Sequence, residues 1–493
     1  MRTAALAAPL GVGAAAISLV GAGVPSAWGD EAVSLMSAQR DWPSLARMLL
    51  HADGVHGAYY ALLHLWLGVT GVDPLAARSL SALAIGAAAA GVVVLGRRAG
   101  RTRWGVLAAV VVVSLPRLSW AATEARSSAL SAALAVWLVV AALGIARPAP
   151  RRRSVVLYVV VLALSMLAFV YTALLVAVPL IVAAALAGRR HALRVLAWSA
   201  LGVLLAAPVV VVAIAQRGQI GWVNGSREPV LDALVEPWFL RPLPAVVGWC
   251  ALLAAAALAI ARGIRSRSAT QRATDAVAAS EAGDAARALG IATAVWVVVP
   301  IVVILLLTLA VPVFTPRYLT FTAPGVALAV GWLVDRVLAR RAWLGVLLLV
   351  VVVAAAVPAD AAERQPGAKD GSDWASVAAQ LARDARPGDG ILYDEAAPAW
   401  RLPREIGYAY PGDVEGLVDL GVDVDFRDSD GLRGTALAGD ALRRSLASGG
   451  ARVWYVAYLG PQASDLAALG DAGYRLRGET RHGRDAVLRF DRA

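Results

Sequence analysis

Apolar runs of membrane-spanning length, separated by short loops that are alternately rich in arginine, fill the first 358 residues and constrain the fold more than any other feature. The hydrocarbon core of a bilayer takes roughly 20 helical residues, and a chain crossing it must satisfy its backbone polar groups within each segment. The runs are expected at about Ala4–Val24, Pro74–Leu95, Trp104–Leu118, a fourth ending near Ile145, Val155–Phe169, Thr172–Leu186, Val195–Ala215, Leu243–Ala261, Ile291–Val311, Tyr318–Val334 and Trp343–Val357. Arginines follow the second run (Arg97, Arg98, Arg101, Arg103), the fourth (Arg147, Arg151, Arg152, Arg153) and the sixth (Arg189, Arg190, Arg194). The positive-inside rule then places the N-terminus in the cytoplasm and the region after residue 358 outside. The expected fold is a polytopic α-helical plasma-membrane protein of about 11 transmembrane helices. The first run also fits a signal peptide, with Pro25-Ser26-Ala27 as the cleavage region, but its length favours an uncleaved span.

The formal charge of +11 is unevenly spread. Residues 359–493 carry 22 acids against 17 bases, so the whole excess of positive charge lies in residues 1–358. It reports topology and contact with anionic lipid, and nucleic acid is excluded as a partner. A single cysteine, Cys250, rules out an intrachain disulfide and a cysteine metal cluster. Lys369 is the only lysine among 46 basic residues, a bias that reads as base composition of the gene. The segment Arg265–Ala286, rich in Ala, Ser, Thr and Arg, reads as a cytoplasmic linker.

From Pro358 onward glycine, proline and acids become common. A helix is expected at Ser376–Arg386, strands at Gly390–Tyr393, Arg452–Tyr458 and Ala486–Phe490, and a helix at Asp465–Gly473. The chain thus reads as a membrane domain, 1–358, with a first extracytoplasmic loop at 28–73, and a soluble extracytoplasmic α/β domain, 359–493.

Ionisable residues beside a membrane are costly and gather where a cavity or partner needs them. The stretch Gly29–Trp66 holds Asp30 and Glu31, then Asp53 between His51 and His56, then Tyr59, Tyr60, His64 and Trp66. Glu124 and Arg126 fall in a turn on the same side, and Arg317-Tyr318 opens the tenth run there. The plain reading is solvated loop carboxylates, hydrogen-bonding histidines and an interfacial aromatic belt of Tyr59, Tyr60 and Trp66. The functional reading is convergence on one face, suited to moving a group from a lipid-linked phosphate to a hydroxyl. A carboxylate serves as general base and arginines hold the phosphate bidentately. His51, Asp53 and His56 are potential ligands for a divalent metal, though their spacing is not a diagnostic set and hydrogen bonding is favoured. Asp394-Glu395 and the acids from Asp419 to Asp430 read as solvated surface. No P-loop or dinucleotide fingerprint is present, which argues against a nucleotide-sugar donor. The alternative function is a polytopic transporter or lipid-translocating protein with an external domain, but the runs are nearly uncharged and the ionisable groups collect at one face.

Four segments carry a family resemblance. After the first run come Gly29-Asp30-Glu31, a Trp42-x-x-Leu45-x-x-Met48-Leu49 helix, and His51-x-Asp53-x-x-His56-Gly57-x-Tyr59-Tyr60. Arg78-Ser79-Leu80-Ser81-Ala82-Leu83, Thr123-Glu124-Ala125-Arg126 and Pro316-Arg317-Tyr318-Leu319 follow in order. Together they resemble the bacterial GT-C membrane glycosyltransferases, and are similar to protein O-mannosyltransferases and lipid A aminoarabinose transferases of glycosyltransferase families 39 and 83, over about residues 1–340. The resemblance implies a polyprenyl-phosphate-linked sugar donor, expected to carry mannose, and inverting transfer to an extracytoplasmic glycan, lipid or protein acceptor. It implies Asp30 as the base, with adjacent Glu31 and the later Asp53 as alternates, and Arg126 and Arg317 at the donor phosphate. The chain departs from the pattern at Ser127-Ser128, where relatives carry an aromatic residue, at Leu80 in place of proline, and in lacking His-Pro-Pro before its tyrosines.

Overall fold

A computed structural model describes residues 4–220, 234–269, 277–310 and 314–493. Contacts divide the chain into two compact units that do not follow chain order. The first comprises Met1–Val20, Ser81–Thr123 and Ser127–Ala362. The second comprises Gly21–Leu80, the three-residue turn Glu124–Arg126 and Glu363–Ala493. The first loop thus packs with the C-terminal region.

The first unit is helical and apolar. Among the described residues, 7 helices are long and apolar enough to cross a membrane, or up to 9 if each of two bent pairs is one span. Thr102–Ser114 and Pro116–Ala122 meet at 65°, and Arg189–Leu205 and Ala207–Ala215 at 59°. A proline opens the second helix of each pair, where its missing N–H and fixed φ break the preceding helix. The other two expected spans are helices of 16 residues, Ala4–Leu19, and 17 residues, Arg152–Ala168. The first of these stops at Leu19, short of the expected Val24, in turns that end the run. Part of the expected linker Arg265–Ala286 lies outside the described residues, but from Val277 it is helical and continues unbroken to Thr308.

Small residues bring these helices close. A Cβ on Gly11 would lie 2.9 Å from the Gly86 carbonyl oxygen, and one on Gly86 would lie 2.6 Å from that of Gly11. Close backbone approach of this kind replaces the hydrophobic drive that lipid does not supply. Large buried side chains keep their polar atoms satisfied: Trp104 Nε1 donates to Leu328 O at 2.7 Å, Trp238 Nε1 to Thr322 Oγ1 at 2.9 Å, and Trp296 Nε1 to Phe321 O at 2.9 Å.

The second unit is built on a five-stranded sheet. Its strands are β1 (Gly390–Tyr393), β2 (Val418–Asp419), β5 (Arg452–Tyr458), β6 (Tyr474–His482) and β7 (Asp485–Arg492), in the order β2-β1-β5-β7-β6. β3 (Val422–Val424) and β4 (Thr435–Ala436) form a separate antiparallel pair. β1 runs parallel to β2 and β5, and β7 runs antiparallel to β5 and β6. Leu392, Leu420, Leu446, Val453, Tyr455 and Leu488 belong to its core.

The first-loop helices Gly29–Ala38, Trp42–His51 and Gly57–Thr70 join the same unit through polar clamps. Buried Arg40 donates to Ser429 O at 2.8 Å and Gly431 O at 2.6 Å, and Gln39 Nε2 donates to Tyr408 O at 2.9 Å. Ala27 N donates to the Tyr410 hydroxyl at 2.8 Å. Gly29 is a close approach within this packing: a Cβ there would lie 2.4 Å from the Trp400 carbonyl oxygen, and backbone cannot step aside as a side chain can. Gly29→Ala is therefore expected to cost about 1–3 kcal/mol, read as a lower unfolding midpoint of the purified protein, with Gly13→Ala, which meets nothing within 4 Å, as the neutral control.

Candidate active site

The site is assembled in the second unit from three pieces of chain. Asp30 and Glu31 form part of the first turn of the helix Gly29–Ala38, where the N-terminal backbone N–H groups favour negative charge. The turn Glu124–Arg126 supplies the second piece, and the segment after Glu363 the third.

The two adjacent acids have opposite environments. Glu31 is 0% exposed and bonded on both oxygens: Arg78 Nε donates to Oε1 at 2.8 Å and Nη2 to Oε2 at 2.6 Å, while Ala125 N donates to Oε1 at 2.8 Å. Arg78, also 0% exposed, spends its remaining donors on the carbonyls of Ala22 (2.8 Å), Pro25 (2.6 Å) and Ser26 (3.2 Å). This pair fastens the chain entering the helix and the turn Glu124–Arg126 to one strut.

Asp30, one residue earlier, stays 27% exposed, and the Arg126 guanidinium faces it. Arg126 Nη1 donates to the Asp30 backbone carbonyl at 3.1 Å, and its Nη2 stands 3.9 Å from Oδ2. Burial works against the Arg126 charge, but Asp30, Tyr60, Asp53 and Glu124 more than offset it and raise the pKa of the guanidinium. Arg126 is thus a firmly charged cation with a partly exposed carboxylate 3.9 Å away.

Asp53, at φ 53°, accepts from the Tyr60 hydroxyl at 2.7 Å. Burial first, and then the Asp53 charge, push that hydroxyl well above its ordinary value, so it stays protonated and donates. Glu124 is buried, and desolvation raises its carboxyl against the pull of Lys369. The structure therefore brings Asp30, Glu31, Asp53, Tyr60, Glu124 and Arg126 into one electrostatic neighbourhood. Arg317 and Tyr318 belong to the first unit, on the 3-10 turn Pro316–Thr322, where Tyr318 stacks on Tyr171 with centroids 5.5 Å apart.

Two expectations are corrected, the interfacial placement of Tyr59 and Tyr60 and the solvation of Asp394. His51, Asp53 and His56 do not assemble as a ligand set: the exposed His51 pairs through Nδ1 with Arg47 O at 2.9 Å, as a helix-end residue does, and the His56 ring lies 5.9 Å from that of Tyr60. Among the described residues no three His, Cys, Asp or Glu side chains are grouped to hold a metal ion. Tyr59 and Tyr60 are buried, so neither is part of an interfacial belt. Asp394 is not solvated: it is buried at the end of β1 and accepts from Ala396 N at 2.9 Å and Tyr458 N at 3.2 Å.

Residues beyond the sequence reading also enter the site. Lys369 is buried among these acids. Glu405 is held by Arg433 Nε at 2.7 Å, and burial pushes its carboxyl up to about 7, with Asp30 among the charges acting on it. The signal for Lys369 was its singularity; nothing in the sequence marked Glu405.

No family model matches the chain, and no curated protein matches it significantly in sequence. Among solved structures it is similar to ArnT from Cupriavidus metallidurans in the apo state, at 12% identity and a TM-score of 0.55, over 99% of this chain and 98% of that one. The structure of ArnT from the same organism bound to undecaprenyl phosphate aligns at 12% identity and 0.55, over 98% and 97%. The chain therefore shares the fold of these ArnT structures over nearly its whole length, apolar helices of membrane-spanning length followed by a C-terminal sheet.

Proposed function

We propose that the protein is a membrane glycosyltransferase that moves a sugar from a polyprenyl-phosphate donor to an acceptor hydroxyl on the extracytoplasmic side, with inversion. The observation that carries this reading is the contrast between neighbouring acids. Glu31 is bound on both oxygens and sealed, whereas Asp30 keeps partial exposure beside a charged guanidinium. A general base needs an accessible carboxylate, and a departing phosphate needs a fixed cation next to it.

The acceptor O–H gives its proton to the Asp30 carboxylate as its oxygen forms the new bond to the sugar's anomeric carbon. The anomeric carbon–oxygen bond to phosphate breaks, and the polyprenyl phosphate leaves with the electron pair, stabilised by Arg126. The Tyr60 hydroxyl fixes the Asp53 carboxyl, which with Asp30 supports the charge of Arg126. Arg317 is assigned to the donor phosphate by resemblance, as is mannose as the sugar. The fold shared with ArnT, solved with undecaprenyl phosphate, supports the donor class.

The test is a transfer assay on purified protein with mannose, arabinose, glucose and aminoarabinose polyprenyl-phosphate donors in parallel. Transfer from one of them, stereochemically inverted, is the expected result; no transfer from any would overturn the reading. Arg126→Ala is expected to raise the donor KM by about 10- to 100-fold, the worth of charge-assisted phosphate bonds, and to change the acceptor KM little. Equal changes in both would remove Arg126 from the phosphate.

A further inference from the structure

The first unit holds a cavity of about 260 Å³ at one end of its helices. Leu95 and Arg98 reach it from the end of the helix Pro74–Arg98, and Ala285 and Leu289 from the helix Val277–Thr308. Leu143 lies near the end of the helix Ser127–Ile145, and Arg147 follows just beyond it. Spacings of three and four residues keep each helical pair on one side of its helix. The apolar wall is buried, with Leu95 1% and Leu289 0% exposed, whereas both arginines are exposed at its rim. Arg98 belongs to the arginine cluster after the second apolar run and Arg147 to the cluster after the fourth. Two loops that the positive-inside rule assigns to the cytoplasm therefore meet at one cavity.

Arg98 and Arg147 are the charged residues of the lining, and no aspartate or glutamate belongs to it. Asp284, the residue before Ala285, is exposed and stands outside it. The neighbouring charge that acts on Arg98 is the like charge of Arg147. Two cations around one cavity favour an anion between them, and the guanidinium fork matches the oxygens of a phosphate. Arg98 is also oriented: its Nη1 donates to Val140 O at 2.9 Å, which ties the guanidinium to the neighbouring helix one turn before Leu143.

The surface next to the cavity separates a lipid from a soluble anion. Further along the same two helices the backbones come close, and a Cβ on Gly91 would clash with the Val136 side chain. Trp137 Nε1 donates to Ala87 O at 3.2 Å across that groove, and Trp137 is 37% exposed. Trp137 precedes Gly144, another lining residue, by two helical turns and so lies on the cavity's side of the helix. A phosphate between the arginines thus adjoins an apolar, aromatic surface suited to acyl chains. The cavity itself is smaller than the roughly 300 Å³ at which pockets for whole small ligands begin, and it suits a headgroup.

We propose that this cavity binds the phosphate headgroup of an anionic phospholipid from the cytoplasmic leaflet, with Arg98 and Arg147 on the phosphate and the acyl chains along the groove past Trp137. Basic pockets between spans on that side are a recurring mode of headgroup recognition. The inference does not rest on the proposed sugar transfer.

The experiment is native mass spectrometry of the purified full-length protein in detergent, reading the Kd of the first bound lipid. The lipids are dioleoylphosphatidylglycerol, dioleoylphosphatidylcholine and undecaprenyl phosphate, with inorganic phosphate as a competitor. The proteins are wild type, Arg98→Gln/Arg147→Gln, Gly144→Leu and Arg190→Gln/Arg194→Gln, the last removing two exposed arginines of another cluster. Phosphatidylglycerol is expected to bind wild type about tenfold more tightly than phosphatidylcholine, and to bind the Arg98/Arg147 double variant about 30-fold more weakly than wild type. A Cβ at Gly144 meets nothing within 4 Å, so leucine there enters the cavity with both charges kept, and is expected to weaken binding about tenfold. The Arg190/Arg194 variant is expected to stay within about twofold of wild type. Wild-type affinity in the Arg98/Arg147 variant or in Gly144→Leu overturns the proposal, as does an equal loss in the Arg190/Arg194 variant, which would mean diffuse surface attraction. Displacement by inorganic phosphate at the lipid's own concentration would make this a site for a soluble anion and overturn the lipid assignment. Undecaprenyl phosphate binding that falls in parallel in the Arg98/Arg147 variant would give the cavity to that carrier and overturn it as well. If the Arg98/Arg147 variant does not accumulate, Gly144→Leu decides.

Discussion

Asp30→Asn is expected to lower the turnover of sugar transfer by about 10²- to 10⁴-fold, the usual share of a general base, while leaving donor binding and thermal stability close to wild type. The substitution keeps the shape of the side chain and removes only its capacity to accept a proton. It leaves the Asp30 backbone carbonyl in place to receive Arg126 Nη1. Because the carboxylate is 27% exposed and stands 3.9 Å from its cation, little folding energy depends on its charge. The measurement is kcat and donor KM on purified protein with the donor that proves active, alongside the unfolding midpoint. Full turnover in Asp30→Asn would remove Asp30 as base and move the assignment to Asp53, whose carboxylate faces the Tyr60 hydroxyl. A loss of turnover matched by a loss of stability would mean that Asp30 is a structural acid like its neighbour.

Sequence reading picked out the candidate site because its strongest signals are chemical exceptions in an apolar background. Asp30, Glu31, Glu124 and Arg126 stand out among alanine, valine and leucine, and arginine counting placed them on one side of the membrane. What it missed follows from where the information lies. Adjacent Asp30 and Glu31 look alike in sequence, and their separation into an open carboxylate and a sealed strut depends on Arg78, 47 positions away from Glu31. The turn Thr123–Arg126 is locked by a backbone donor, Ala125 N, which no side-chain pattern reports. Lys369 was visible as a singular residue, but base composition explained its rarity until its burial was known. Within the sheet, apolar strands such as Arg452–Tyr458 were legible, whereas Tyr474–His482 was not. That strand lies at the sheet edge, pairs only with β7 and carries polar side chains on both faces, the composition that guards an edge and erases its alternating pattern. The bent helix pairs were read as single runs because hydropathy does not record a direction change at Pro116 or Pro208.

Glu31→Gln is expected to cost about 3–5 kcal/mol, a large part of the whole stability of a folded domain. It takes from the Arg78 guanidinium, at 0% exposure, the carboxylate that is bonded to it. Arg78→Met is expected to cost as much, because it strands Glu31 and also releases the carbonyls of Ala22, Pro25 and Ser26 that Arg78 holds ahead of the helix Gly29–Ala38. The double variant Glu31→Gln/Arg78→Met removes both charges together. A buried ion pair gains little over neutral groups once desolvation is counted, so the double variant is expected to recover more than half of the loss suffered by either single variant. The check is the half-life of the purified protein at elevated temperature for the four members of the cycle, since unfolding of a membrane protein in detergent is read as a rate. Additive losses would mean that the two side chains do not act as a pair. The specific activity of the surviving double variant carries the functional half of the result. If Glu31 and Arg78 only hold Asp30 in place, kcat is expected to fall modestly through looser positioning of the base, and far less than in Asp30→Asn. A fall as deep as that of Asp30→Asn would make Glu31 a participant in proton transfer, and would exchange the roles of the two acids at the start of the helix.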